Sequence, residues 1–148
     1  MTTLSELVDQ TFAVLFGEYG FVRKPSDEKG NVTYFKGPLI IDFWWGKGEI
    51  DVLVEVALSF AKDHKVFRPY ISRTFTLAEL ATRSDASALK PFHEMAQSWP
   101  EPVGPITTPD RANAFLKVAA EVMRKHCRQI LEGDLTLLEQ ITVERKRA

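Results

Sequence analysis

An α+β fold is the class this sequence predicts, on three observations. A helix-period apolar stripe opens the chain. Four short strand-like runs separated by turn residues follow, from Phe21 to Phe60. Helix-period segments with capped starts and glycine stops fill the second half. The links between the strand runs are too short for parallel crossovers, so the sheet is expected to be an antiparallel meander. With 148 residues, 45% of them hydrophobic, the chain fits one domain over 1–148. A chain of this length buries enough surface to need no disulfide or metal staple. The expected architecture is an N-terminal helix, a four-stranded antiparallel sheet, and C-terminal helices packed on one sheet face.

The first helix is read over 4–16. Leu4, Leu7, Val8, Thr11, Phe12 and Leu15 form one stripe, Thr3 and Glu6 make a capping box, and Gly17 and Gly20 supply the stop. The strand runs are Phe21–Lys24, Asn31–Lys36, Leu39–Trp45 and Glu49–Phe60. The stretch 62–75 is less regular. Thr76 with Glu79 caps a short helix to about Arg83, and a further helix is expected over Asp85–Ser98, with Pro91 an awkward occupant. Pro100, Pro102, Pro105 and Pro109 force an extended loop after Trp99. Thr108-Pro109-Asp110 then starts a long helix predicted to reach Glu132, with Gly133 ending it and Asp134 capping a last helix.

The third and fourth strands can be aligned by chemistry. If Gly46-Lys47-Gly48 were all loop, Phe43 would sit beside Asp51 and Leu39 beside Glu55, mixing apolar and acidic rows. If only Lys47-Gly48 is loop, Trp45 meets Ile50, Phe43 meets Val52, Ile41 meets Val54 and Leu39 meets Val56. The second register buries one continuous apolar face, and a two-residue turn with glycine second suits hairpin twist. On the opposite face it sets Asp42 against Leu53, with Asp51 and Glu55 as diagonal neighbours at ~7–8 Å, Trp44 opposite Asp51 and Ile40 opposite Glu55.

Composition narrows the function classes. The 19 basic and 20 acidic side chains give a net charge of −1, so no overall field draws the chain to nucleic acid or to an anionic membrane. The basic tail Glu144-Arg145-Lys146-Arg147 complements a helix dipole. Cys127 is the only cysteine, which excludes an intramolecular disulfide and a thiolate-rich zinc site and suits a reducing compartment. The N-terminus lacks a basic signal-like region, and the most apolar stretch, Val52–Ala61, is too short to span a bilayer. A cytoplasmic protein without membrane or nucleic-acid partners is expected.

The acidic, aromatic-flanked patch of Asp42, Trp44, Asp51, Leu53 and Glu55 is the sharpest feature. It reads as a solvated sheet face, or as acids paired with basic groups such as Arg23, Arg68 or Arg73; as a recognition surface for a basic partner; or as a metal or general acid–base site. For a single metal shell the carboxylates are too far apart without other ligands. His93-Glu94-Met95-Ala96-Gln97 resembles the start of a zinc-protease motif, but Gln97 stands where the second histidine is required. His126 and Cys127 diverge by about 100° on a helix and cannot act as a pair, and Cys127 reads as a buried structural thiol. His64, in a charged loop, reads as solvated surface. Trp99 and the following prolines could line a peptide groove, though such a segment is more often a rigid strap laid across the core. Phosphate-cradling, dinucleotide and nucleophile-elbow motifs do not occur.

The order of a helix closed before Gly20-Phe21, a strand meander, and helices ending in Leu131-Glu132-Gly133-Asp134-Leu135 resembles small bacterial α+β proteins, some of which are immunity proteins that neutralise polymorphic toxins. The resemblance implies an inhibitory binding role. The leading expectation is therefore a non-enzymatic interaction module, immunity-like, that binds a basic protein through Asp42, Trp44, Asp51, Leu53 and Glu55, with no cofactor and no metal. The alternative is a small hydrolase or metal-dependent enzyme whose histidines and acids the fold assembles; its catalytic residues are not legible. A homodimer through the outer sheet face or a strand edge is a third option.

Overall fold

The computed structural model describes residues 3–25, 31–68, 74–100 and 105–147. Helix α1 (Leu4–Glu18) starts at Thr3, whose hydroxyl accepts the Glu6 N–H, and buries Leu7, Val8, Phe12, Leu15 and Phe16. The sheet follows as β1 (Val22–Arg23), β2 (Val32–Lys36), β3 (Leu39–Gly46) and β4 (Glu49–Val56). A short helix α2 (Leu58–Ala61) leads towards β5 (Thr74–Thr76). All neighbours are antiparallel, in the order β1-β2-β3-β4-β5.

The β3–β4 register is the one that buries a continuous apolar face. Gly46 pairs with Glu49, Trp45 with Ile50, Phe43 with Val52, Ile41 with Val54 and Leu39 with Val56. Lys47 and Gly48 form the turn with φ of 54° and 79°, the two left-handed residues of a type I′ hairpin. The inner face carries Leu39, Ile41, Phe43, Ile50, Val52, Val54 and Val56, all buried. Helix α1 lies over β2 and β3, where Phe12 and Phe16 pack on Phe43 and Tyr34 with ring centroids 4.7 and 4.6 Å apart.

Three expectations need correction. The sheet has five strands rather than four: Leu53 pairs with Thr76, Val54 with Phe75 and Glu55 with Thr74. Strand β4 stops at Val56, and Leu58 begins a helix instead of continuing a strand to Phe60. The helix expected over Asp85–Ser98 is only α4 (Lys90–Gln97). Asp85 accepts from the Ser87 N–H at 2.9 Å and hydroxyl at 2.8 Å, a local turn that separates α4 from α3 (Leu77–Ser84), and Pro91 takes the first turn of α4, where it costs no hydrogen bond.

Helix α5 (Pro109–His126) begins at the Thr108 cap and ends earlier than expected. Cys127, at φ −119° and ψ 23°, breaks it from α6 (Arg128–Leu131), and Gly133 at φ 94° closes α6. The apolar spacing runs unbroken from Met123 through Cys127 to Ile130 and Leu131, so periodicity does not reveal the break. Helix α5 packs on α1, α3 and α4. Helix α7 (Thr136–Arg147) closes the structure: Arg145 donates to the Thr74 carbonyl at 3.1 Å and to Glu79 at 2.7 Å. Lys146 donates to the carbonyls of Val66 and Arg68. Among the described residues no helix is long and apolar enough to cross a membrane.

The segment after Trp99 is pinned as a strap at both described ends. Arg111 lies over the Trp99 ring at 4.7 Å and donates to the carbonyls of Pro100 and Pro105 at 2.6 and 2.8 Å. Beyond it, the Ile106 N–H donates to the Gly48 carbonyl at 2.6 Å, and the Trp45 indole donates to the Ile106 carbonyl at 2.8 Å. The span 101–104 lies outside the described residues.

Candidate interaction face

The pairing pattern assembles the outer face of the sheet row by row. Val22, Phe35, Ile40, Glu55 and Thr74 form one cross-strand row; Thr33, Asp42, Leu53 and Thr76 form the next; Trp44 and Asp51 form a third. Three large apolar side chains on this face stand well exposed, Val22 at 54% and Phe35 and Trp44 at 39% each. Phe35 and Val22 were not foreseen as site residues. The signal was present, since β2 alternates Tyr34 inward and Phe35 outward, but it needed the β2–β3 register to place Phe35 beside Ile40.

The acids do not behave alike. Asp42 is buried at 8% exposure and accepts a hydrogen bond from the Thr33 hydroxyl opposite it. Asp42 and Glu55 open with Lys24, Thr33, Phe35 and Ile40 onto one concavity of about 450 Å³. Asp51 is exposed and sits on the other side of Leu53, against a separate cavity shared with His93 of α4. The structure thus places the three acids around Leu53 as expected, but divides them between two recesses.

Of the basic partners expected for these acids, Arg23 turns to the helix side of the sheet. It donates to Asp9 at 2.9 Å and to Ser5 at 2.8 Å, both on α1. Tyr34 joins the same cluster by donating to Asp9, and burial together with that carboxylate pushes its phenol well above its ordinary value. Arg73 lies outside the described residues.

The histidines occupy separate environments. His64 is packed between Phe60 and Phe67, with ring centroids 5.0 and 4.8 Å away, and its Nδ1 accepts the Val66 N–H at 3.1 Å; it secures a turn instead of standing in solvent. His93 is exposed on α4. His126 Nδ1 lies 3.2 Å from the Ser84 hydroxyl, a hydroxyl–imidazole contact made across 42 residues of chain that no local spacing could show. The nearby Asp85 carboxylate is engaged by Ser87 rather than orienting this pair. Burial pushes the Cys127 thiol up to about 12, which keeps it protonated and unreactive at neutral pH. Among the described residues, no three His, Cys, Asp or Glu side chains are grouped to hold a metal ion.

Comparison with family models, curated proteins and solved structures gives no significant match.

Proposed function

We propose that this protein is a non-enzymatic interaction module that binds a basic protein partner through the outer face of its sheet. The observation that carries the reading is the exposure of Val22, Phe35 and Trp44 on one sheet face, continuous with Ile40 and Leu53 and bordered by Asp51 and Glu55. Exposed apolar side chains gathered on one face, with charge at the border, are the composition of a recognition surface: aromatic groups supply the buried area and charge steers the encounter. A second copy of the chain would set acid against acid across the contact, whereas lysine and arginine on a partner would complement it. The immunity-like organisation of the chain extends the reading to an inhibitory role, in which this face covers a basic surface of a target.

The test uses the immobilised wild-type chain and two double variants against source-cell lysate, followed by titration with the purified captured protein. Phe35→Ser with Trp44→Ser removes the aromatic anchors; Asp51→Asn with Glu55→Gln removes border charge. The expected result is a basic partner held by the wild type, bound at least ~10-fold more weakly by the aromatic variant and with reduced salt dependence by the charge variant. Equal binding by the aromatic variant, with its circular dichroism unchanged, would overturn the assignment.

A further inference from the structure

The edge of β4 offers a second, independent binding feature. In a two-residue hairpin the residues flanking the turn exchange both backbone hydrogen bonds, and the bonding direction then alternates along the strand. Glu49, Asp51, Leu53 and Glu55 therefore direct their N–H and C=O groups to β3, while Gly48, Ile50, Val52 and Val54 direct theirs away from it. The two ends of this outward row are filled. The Gly48 carbonyl accepts from Ile106 of the strap, and Val54 pairs with Phe75 of β5. Between them, no described residue pairs with Ile50 or Val52 on that side, because β5 reaches only Leu53 before the chain turns into α3.

A recess lies alongside this gap. A cavity of about 340 Å³ is bounded by Ile50, Val52, Leu77, Leu89, Phe92 and Phe115 on its apolar side, with Asp51 at its rim. A second cavity, of about 320 Å³, shares Ile50, Asp51, Phe92 and Phe115 and extends towards Trp99 and Ile106. Helix α4, which forms the far wall, has no fully buried residue and packs chiefly on α5.

We infer that the open stretch of β4 accepts a short extended peptide as an added strand, in the pattern apolar–basic–apolar. Two of its residues exchange backbone hydrogen bonds with Ile50 and Val52. Cross-strand partners share a face, so their side chains enter the recess towards Phe92 and Phe115 and are apolar. The residue between them lies opposite Asp51 on the outer face, where exposed Asp51 and neighbouring exposed Glu49 select lysine or arginine. The strap at Gly48 and β5 at Leu53 limit the pairing to about four residues, ~13 Å of strand.

The probe is the capped tetrapeptide Val-Lys-Val-Ser, which fits opposite Val52, Asp51, Ile50 and Glu49, titrated against the full chain by amide-resolved NMR. Three controls accompany it: Val-Asp-Val-Ser, a version N-methylated at both valines, and chains with the recess filled by Ala78→Trp, on the wall of the first cavity, or Ala96→Trp, on the wall of the second. Saturable binding with Kd below about 1 mM is expected. Amide exchange at Ile50 and Val52 should slow about 10-fold, with affinity at least ~10-fold lower for the Asp peptide, the N-methylated peptide and both filled chains. Phe35→Ser with Trp44→Ser should bind the peptide as the wild type does, so this inference and the sheet-face reading stand or fall separately. Absence of saturable binding, equal binding of the N-methylated peptide, or preference for the Asp peptide would each overturn the proposal. So would a light-scattering dimer abolished by Ala78→Trp, which would assign the edge to a second copy of the chain.

Discussion

Asp42 and Asp51 are both acids on outward positions of paired strands, yet the fold gives them different chemistry. The Thr33 hydroxyl opposite Asp42 ties its carboxylate into the sheet, whereas Asp51 stands in solvent. The alternation that placed both residues on one face was legible in the sequence; the hydrogen bond that quiets one was not, because it depends on carrying the register across the Gly37-Pro38 turn to set Thr33 opposite Asp42, and then on the side-chain conformation of Thr33. Cys127 supports a prediction at the same scale. Its thiol ionises near 9.0 in an unfolded chain and at about 12 when buried in the fold. The folded state thus favours the protonated thiol, so its contribution to stability is whole below pH 9 and is lost as pH rises from 9 towards 12. Urea midpoints measured from pH 7 to 10.5 should fall more steeply for the wild type than for Cys127→Ala. Parallel profiles would show that the thiol does not titrate with unfolding.

The β3–β4 hairpin was the most legible element, since one loop length satisfied both the apolar alternation and the left-handed turn. Its Gly48 also carries a test. An added Cβ would sit 3.4 Å from the Pro105 Cβ, on a backbone with φ of 79°. Gly48→Ala should cost about 1–2 kcal/mol in urea unfolding, through left-handed strain and pressure on the strap. A change below a few tenths of a kcal/mol would mean that the turn relaxes freely. Strand β5 was hidden for the opposite reason. Thr74-Phe75-Thr76 is too short to show a period, and only pairing with the distant β4 makes it a strand. The end of α5 at Cys127 was hidden because the apolar stripe continues across it.

Residues of α1, α2, four of the five strands, α3, α5, α6 and α7 enter one buried cluster, so the molecule is expected to lose its structure in a single step. Urea transitions followed by tryptophan fluorescence, which reports on Trp44, Trp45 and Trp99, should superimpose on those followed by far-ultraviolet circular dichroism. Separate midpoints would divide the chain into independently melting parts. Whole-molecule features were also where the sequence was least informative about the site. The division of the acids between two recesses, and the gap beside β4, depend on where α3, α4 and the strap come to rest, which no window of neighbouring residues encodes. The clasp formed by α7 has a consequence for how the protein is made. Lys146 holds the carbonyls of Val66 and Arg68, and Arg145 holds that of Thr74, residues 71 to 80 positions earlier in the chain. At ~5–20 residues per second, the ribosome delivers these two side chains roughly 4–16 s after the segment they secure. During that interval the carbonyls of Val66, Arg68 and Thr74 have been made but the side chains that bind them have not, so this fastening forms only once α7 has been synthesised.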